Sequence, residues 1–203
     1  MLPAPVKGLY EVVVRTENGV EVLYADESAK HLFSGELFDT RSDRNLTEER
    51  KRKLSAIRFE SLPFDIAVKV KRGSGRRVLA VFSDPYCPAC KRFEQVLAQT
   101  SDITIYYFIF PVIQPDLVEH SRAAWCAPDR TKAWLDLALH GKVPQPRKCA
   151  DPVDKTLALG HSLRINSTPT LIFANGERVS GGLPPDQFAR MLDEATKTAP
   201  HVK

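Results

Sequence analysis

The motif Cys87-Pro88-Ala89-Cys90 constrains this chain more than any other feature of its sequence. It follows an apolar run that ends at Phe82 and precedes a segment with the pattern of an amphipathic helix. At the start of a helix, unpaired backbone N–H groups and the positive end of the helix dipole favour the thiolate form of Cys87. A thiolate is the nucleophile of thiol–disulfide exchange, and Cys90, one turn later, lies within reach of a disulfide. The spacing therefore predicts a redox-active dithiol.

A metal site or a purely structural bridge is the alternative interpretation of this motif. A zinc ribbon needs a second close pair of ligands, whereas Cys126 and Cys149 lie far apart and have no histidine at ligand spacing. The five histidines form no close pair in the sequence. We therefore predict no metal site, and thiol–disulfide exchange calls for no cofactor.

Four cysteines fit an oxidising compartment, with one catalytic pair and one structural pair. Three pairings are possible. The pairing of Cys87 with Cys90 and of Cys126 with Cys149 is favoured because it leaves the dithiol free to cycle. The alternative is that Cys126 and Cys149 are free buried thiols.

The composition excludes several classes of protein. A net charge of +4 argues against dedicated binding of nucleic acid, and no apolar run is long enough to span a bilayer. The first five residues lack the pattern of a signal peptide, in which a charged region is followed by an apolar one. The mature form of an exported protein would lack this pattern too.

The chain divides into three predicted parts. Residues 1–44 contain β-prone runs that predict a small, mostly antiparallel sheet, with a hairpin turn at Asn18-Gly19. Residues 45–62 are predicted to form a linker helix that is capped by Asn45 and ended by Pro63. Because the sheet is too small to bury much core alone, we expect it to pair with another surface.

Residues 63–203 interleave strand and helix segments, which is typical of an α/β domain. Strands are predicted over 66–70, 78–82, 103–110, 170–174 and 177–179, and helices over 91–99, 115–139, 152–163 and 185–196. In this order, the helical stretch at about 113–164 looks like an insertion in a thioredoxin-like fold.

Together with the N-terminal sheet and linker helix, the chain resembles the DsbC/DsbG family of bacterial periplasmic disulfide isomerases. The matching segments are Pro3–Gly8, Phe82-Ser83-Asp84 before the dithiol, Ala124–Ala127 and Gly182–Pro185. Ser167–Thr170, which precedes a predicted hairpin, is part of the thioredoxin-like order of elements. The resemblance extends over nearly the whole chain.

The resemblance implies roles for particular residues. Cys87 is the expected nucleophile and Cys90 the resolving thiol, while Cys126 and Cys149 match the structural disulfide of the family. Thr168 and a cis Pro169 are expected beside the dithiol, where the backbone pairs with an extended substrate segment. From sequence alone, a trans proline that opens a strand would be the safer prediction for Pro169.

The resemblance also implies a function and partners. We expect a periplasmic homodimer that isomerises disulfides in misfolded or partly unfolded proteins and is kept reduced by a membrane thiol reductase of the DsbD type. Neither nucleic-acid binding nor stable membrane insertion is expected. The alternatives are a monomeric oxidant or reductase that uses the same dithiol, a protein in which chaperone-like client binding dominates, and a cytosolic redox sensor.

The general base is not identified by the sequence. Thioredoxin has a buried carboxylate six residues before its nucleophile, and Val81 occupies that position here. Asp84 is nearer to Cys87 in sequence, but a role as a turn-forming cap is sufficient to explain it.

Overall fold

The structure, a computed structural model, describes residues 1–16 and 19–199. The chain folds into two compact units, Met1–Ala56 and Ile57–Lys203. The division between them lies inside the segment predicted as a linker helix.

The first unit contains a four-stranded antiparallel sheet in the order β1-β2-β3-β4. Its strands are β1 (Leu2–Pro3), β2 (Leu9–Thr16), β3 (Gly19–Asp26) and β4 (Leu32–Phe33). The long hairpin pairs Leu9 with Asp26 at one end and Thr16 with Gly19 at the other. Asn18, in the predicted turn, lies outside the described residues.

A second small sheet leads into the first helix. It pairs β5 (Phe38–Asp39) with β6 (Arg44–Asn45), and α1 (Leu46–Leu54) follows directly. The Asn45 side chain accepts a hydrogen bond of 3.0 Å from the backbone N–H of Glu48, as the capping pattern predicts.

Helix α1 is shorter than the helix expected over 45–62. It ends at Leu54, and the chain continues in two short 3₁₀ turns, Phe59–Ser61 and Phe64–Ile66. Phe59 and Leu62 are buried in the core of the second unit. Burial of these two side chains outweighs continuation of the helix, since tertiary packing supplies most of the stability of short elements.

The second unit is built on a five-stranded sheet in the order β11-β10-β8-β9-β7. Its strands are β7 (Val68–Arg72), β8 (Arg77–Ser83), β9 (Ile103–Ile109), β10 (Thr170–Phe173) and β11 (Arg178–Ser180). Strands β8 and β9 are parallel and are joined by α2 (Pro88–Gln99), as a parallel pair requires a crossover. The apolar run of β8 is buried because it lies at the centre of this sheet.

Four further helices complete this unit. They are α3 (Val118–Cys126), α4 (Arg130–His140), α5 (Val153–Ser162) and α6 (Pro185–Thr198). The single helix expected over 115–139 is therefore two, because Pro128 disfavours helical backbone at Ala127, and Asp129 caps α4 by accepting from the N–H of Lys132 at 2.9 Å. In the described part of the chain, no helix is both long and apolar enough to cross a lipid bilayer.

The core of the second unit consists of two apolar clusters. One contains Phe93, Leu97, Tyr107, Trp134, Phe173 and Phe188, and the other contains Phe59, Phe82, Phe108, Phe110 and Ile165. In the second cluster the rings of Phe82 and Phe108 stack with their centroids 4.7 Å apart. Side chains of β8 enter both clusters and side chains of α2 enter the first, so packed elements flank the loop that carries the dithiol.

A disulfide joins Cys126, the last residue of α3, to Cys149, which precedes α5; the two are 23 positions apart in the sequence. It closes a loop that contains all of α4. In the chain-entropy account, such a cross-link stabilises the fold by restricting the unfolded chain.

We expect replacement of both Cys126 and Cys149 by alanine to lower the free energy of unfolding by about 3 kcal/mol. The reason is that the unfolded chain regains the conformational freedom that the disulfide removes by closing a loop of this length. Denaturant unfolding of the oxidised wild type and of the double variant measures the difference. The dithiol should still reduce a small disulfide, and loss of this reaction in a folded variant would contradict a purely structural role.

Candidate active site

The dithiol lies at the N-terminus of α2. Cys87 is the N-cap residue, with extended backbone, and Pro88 occupies the first helical position, where a missing N–H costs nothing. The Cys87 sulfur accepts a hydrogen bond of 3.3 Å from the backbone N–H of Cys90. The helix therefore presents both a donor and the positive end of its dipole to this sulfur.

The turn before β10 lies directly beside the dithiol. The Thr168–Pro169 peptide bond is cis, and the carbonyl oxygen of Thr168 accepts a hydrogen bond of 3.2 Å from the Cys87 thiol. The hydroxyl of Thr168 is buried and has no hydrogen-bond partner. The structure thus brings together the four residues Cys87, Cys90, Thr168 and Pro169 that the sequence analysis proposed for the site.

The two sulfurs differ in their protonation chemistry. Both cysteines are free thiols and both are buried. Burial raises the pKa of Cys90 to about 12, so this residue remains a thiol at neutral pH. The donor N–H of Cys90 and the positive end of the helix dipole face the Cys87 sulfur instead, an arrangement that favours a thiolate at Cys87.

Asp84 fastens the loop that carries Cys87. Its side chain is only 1% exposed, and its carboxylate accepts hydrogen bonds of 2.7 Å from the backbone N–H groups of Tyr86, Val112 and Ile113. These three bonds tie the active-site loop to the segment that follows β9. They favour the capping role that the sequence suggested for Asp84 over a role in proton transfer.

A tyrosine–histidine pair makes a second connection, which the sequence analysis missed. The hydroxyl of Tyr86 is hydrogen-bonded to Nδ1 of His120 on α3. Burial and the nearby charge of Asp84 raise the pKa of Tyr86, so its hydroxyl stays protonated at neutral pH. The residue before the nucleophile is thereby anchored to the helical insertion.

The sequence analysis also missed a buried carboxylate on α2. Glu94 is 2% exposed, and its Oε2 accepts a hydrogen bond of 2.8 Å from the hydroxyl of Tyr107 on β9. Burial raises the pKa of Glu94 to about 7, although the Tyr107 bond and the charge of Arg72 act in the opposite direction. A signal was available, since positions 90, 93, 94 and 97 form the spacing of a core-facing helical stripe.

Neither the motif interior nor its surroundings suggest a metal. Pro88 is exposed and Ala89 half-buried, and neither carries a ligating atom in its side chain. Across residues 1–16 and 19–199, the structure holds no group of three or more His, Cys, Asp or Glu side chains arranged to bind a metal ion. The arrangement supports nucleophilic chemistry at sulfur.

Comparisons with known families agree with this geometry. Residues 64–196 match the family described as a thioredoxin-like domain, and residues 1–48 match the disulfide bond isomerase protein N-terminal domain. The fold predicted from the sequence, a thioredoxin-like domain preceded by a small antiparallel sheet, is confirmed.

Individual proteins show the same relationship. The chain is 42% identical over 185 residues to the probable thiol:disulfide interchange protein DsbC of Bordetella pertussis, a match that covers 91% of this chain and 65% of that protein. It is 30% identical over 202 residues to the thiol:disulfide interchange protein DsbC of Escherichia coli strain K12, with coverage of 96% and 81%. The chain therefore spans just under two thirds of the length of the Bordetella relative.

A solved structure also aligns with the chain. The crystal structure of a disulfide interchange protein from Neisseria gonorrhoeae superposes with a TM-score of 0.64 at 39% sequence identity. The match covers 68% of this chain and 100% of the Neisseria chain. At this identity the resemblance extends beyond the shared fold.

Proposed function

Because the chain belongs to the DsbC family of thiol:disulfide interchange proteins, we propose that it rearranges non-native disulfide bonds in exported proteins. The observation that carries the proposal is the position of the Cys87 sulfur. It lies at the N-terminus of α2, 3.3 Å from the N–H of Cys90 and 3.2 Å from the carbonyl oxygen of Thr168. A client disulfide that reaches this point meets a nucleophile, a resolving thiol and a backbone acceptor at once.

The chemistry begins with attack by the Cys87 thiolate on a client disulfide. A bond forms between Cys87 and one client sulfur, the client S–S bond breaks, and the released client thiolate takes up a proton. A second client thiol, after losing its proton, can then displace Cys87, which leaves a rearranged client disulfide and a reduced enzyme. This cycle consumes no electrons.

Cys90 can release the client when no client thiol resolves the mixed disulfide with Cys87. It must lose its proton before it can attack Cys87, and its burial disfavours the thiolate. Client thiols compete with Cys90 for the Cys87 sulfur, and the thiol that attacks first decides between isomerisation and reduction. When Cys90 does attack, the client leaves reduced and a Cys87–Cys90 disulfide forms.

The oxidised dithiol then needs two electrons to return to the reduced form that attacks client disulfides. We propose that a membrane thiol reductase of the DsbD type supplies them by exchange at the same sulfurs, and that the protein acts in the periplasm. Membership of the family supports both proposals.

We propose that residues 1–44 form a homodimer interface. Strands β1 and β4 are the two edges of the N-terminal sheet, and edge strands offer unpaired backbone groups to another chain. On β4, Leu32 and Phe33 are 61% and 51% exposed, and on β1 Leu2 is exposed as well. Apolar side chains along open edges support pairing with a second copy.

Refolding of a scrambled client with several disulfides, in a glutathione buffer, tests the function. We expect the full chain to restore client activity well above the buffer alone. Residues 57–203 by themselves should still reduce a simple disulfide but restore the client poorly, since a monomer presents one active site instead of two. Brisk reduction without restoration by the full chain would instead show a reductase, and a dimeric 57–203 fragment would place the interface elsewhere.

A further inference from the structure

A pocket of about 260 Å³ opens beside the dithiol, between α2 and the loop that follows β11. Its lining residues are Ala89, Arg92, Phe93, Val96, Gly182 and Leu183. The volume lies below the roughly 300–1,000 Å³ of pockets that hold drug-sized ligands, so it suits one or two amino-acid side chains.

The pocket is continuous with the reacting centre. Ala89 lies between the two cysteines and forms part of the pocket wall. On the other side, the N–H of Gly181 donates a hydrogen bond of 2.7 Å to the carbonyl oxygen of Pro169. The wall at Gly182 is thus tied to the same turn that accepts from the Cys87 thiol.

The pocket carries an unpaired positive charge. Arg92 is exposed, and the described residues place no carboxylate within ion-pair distance of it. Arg92 lies in the second turn of α2 and lines the pocket, whereas its neighbour Lys91 does not line it. The guanidinium therefore offers its charge to a negatively charged group that enters the pocket.

We propose that this pocket recognises a client segment that carries an apolar side chain next to a carboxylate, close to the cysteine under exchange. The inference rests on the exchange activity proposed above. Arg92 lies five residues after Cys87, which is about 7.5 Å along the helix axis. An extended client advances about 3.3 Å per residue, so the recognised side chains lie about two or three residues from the client cysteine.

Gly182 determines how much room the apolar side chain has. A Cβ atom at this position would lie 3.2 Å from Cβ of Phe93 and 3.3 Å from its Cδ2, which is tighter than an ordinary contact. Replacement by alanine therefore crowds Phe93 and changes the pocket wall that these two residues share.

The test uses short peptides whose single cysteine is joined to thionitrobenzoate. Attack by Cys87 on the peptide sulfur forms the mixed disulfide and releases the coloured aromatic thiolate. The peptides carry Leu or Ser two residues after the cysteine, followed by Glu or Lys. In a second set of peptides these two positions are exchanged, so that Glu or Lys comes before Leu or Ser. Thionitrobenzoate joined to mercaptoethanol measures the exchange chemistry without a peptide. The rate with each peptide is divided by the rate with this reporter.

At low salt we expect Glu peptides to react about three to five times faster than Lys peptides, as for one exposed ion pair, and Leu peptides about ten times faster than Ser peptides. Arg92→Gln should remove the preference for Glu, while the matched control Lys91→Gln should keep it. Gly182→Ala should reduce the preference for Leu.

Equal rates with all peptides, by a protein that is active on the mercaptoethanol reporter, would overturn the inference and leave the exchange function intact. Loss of the Glu preference in Lys91→Gln but not in Arg92→Gln would also overturn it. No release from any reporter, including mercaptoethanol, would overturn the exchange chemistry itself and the inference that depends on it.

Discussion

Replacement of Cys87 by serine is expected to reduce the refolding of a scrambled client to the level of the redox buffer alone. The serine hydroxyl cannot form the mixed disulfide, and the buried Cys90 thiol, with its pKa raised to about 12, is a poor substitute nucleophile. Client activity recovered with wild type and with variant in the same buffer measures the effect.

The matched control is Cys90→Ala, which keeps the nucleophile and removes only the resolving thiol. This variant should accumulate a client joined to Cys87, visible as a slower band on a non-reducing gel. Substantial recovery with Cys87→Ser would show that Cys90 can start the reaction and would contradict the assignment. Suppression of client aggregation that survives in Cys87→Ser would reveal a separate chaperone contribution.

Glu94→Gln is expected to change how stability depends on pH. The carboxyl has a pKa of about 7 in the folded protein against 4.5 as its ordinary value, so the folded state holds the proton more tightly. The stability that this tighter binding contributes is complete below pH 4.5 and is lost as the pH rises through 7. Above pH 7 the wild type must bury a charge, at a cost of roughly 3 kcal/mol.

Glutamine keeps an oxygen that can accept from the Tyr107 hydroxyl but carries no charge. The two proteins should therefore be similarly stable at pH 4, and the variant should be more stable by up to roughly 3 kcal/mol at pH 8. Denaturant unfolding at both pH values measures this, with the exposed Glu60→Gln as control. Equal differences at the two pH values would show that folding leaves the pKa of Glu94 unchanged, with the Tyr107 hydrogen bond and the charge of Arg72 offsetting its burial.

Much of the fold could be predicted from the sequence because its signals are local. The β-prone runs of β2 and β3, the apolar run of β8 and the cap at Asn45 each depend on neighbours within a few residues. The predicted ends of helices were less accurate where packing in the core determines the end. The helix expected to reach residue 62 ends at Leu54 because Phe59 enters the core instead.

The dithiol was predictable for the same reason, since Cys87 and Cys90 lie within one turn and the preceding strand is apolar. The position of Thr168 and Pro169 beside it came from the resemblance to a family, because these residues are some 80 positions away from Cys87 in the sequence. Periodicity and spacing carry no information about contacts at that separation.

Neighbouring residues alone therefore predict a strand that leads into a helix with Cys87 at its N-terminus. The groups around the Cys87 sulfur could be found only in the folded chain, because they come from distant segments. Asp84 holds its loop in place because the segment after β9 brings the N–H groups of Val112 and Ile113 to its carboxylate. The pKa of Glu94 is raised because the core encloses its carboxyl group. Hydrogen bonding and desolvation act through space, so these roles exist only once distant segments have packed together.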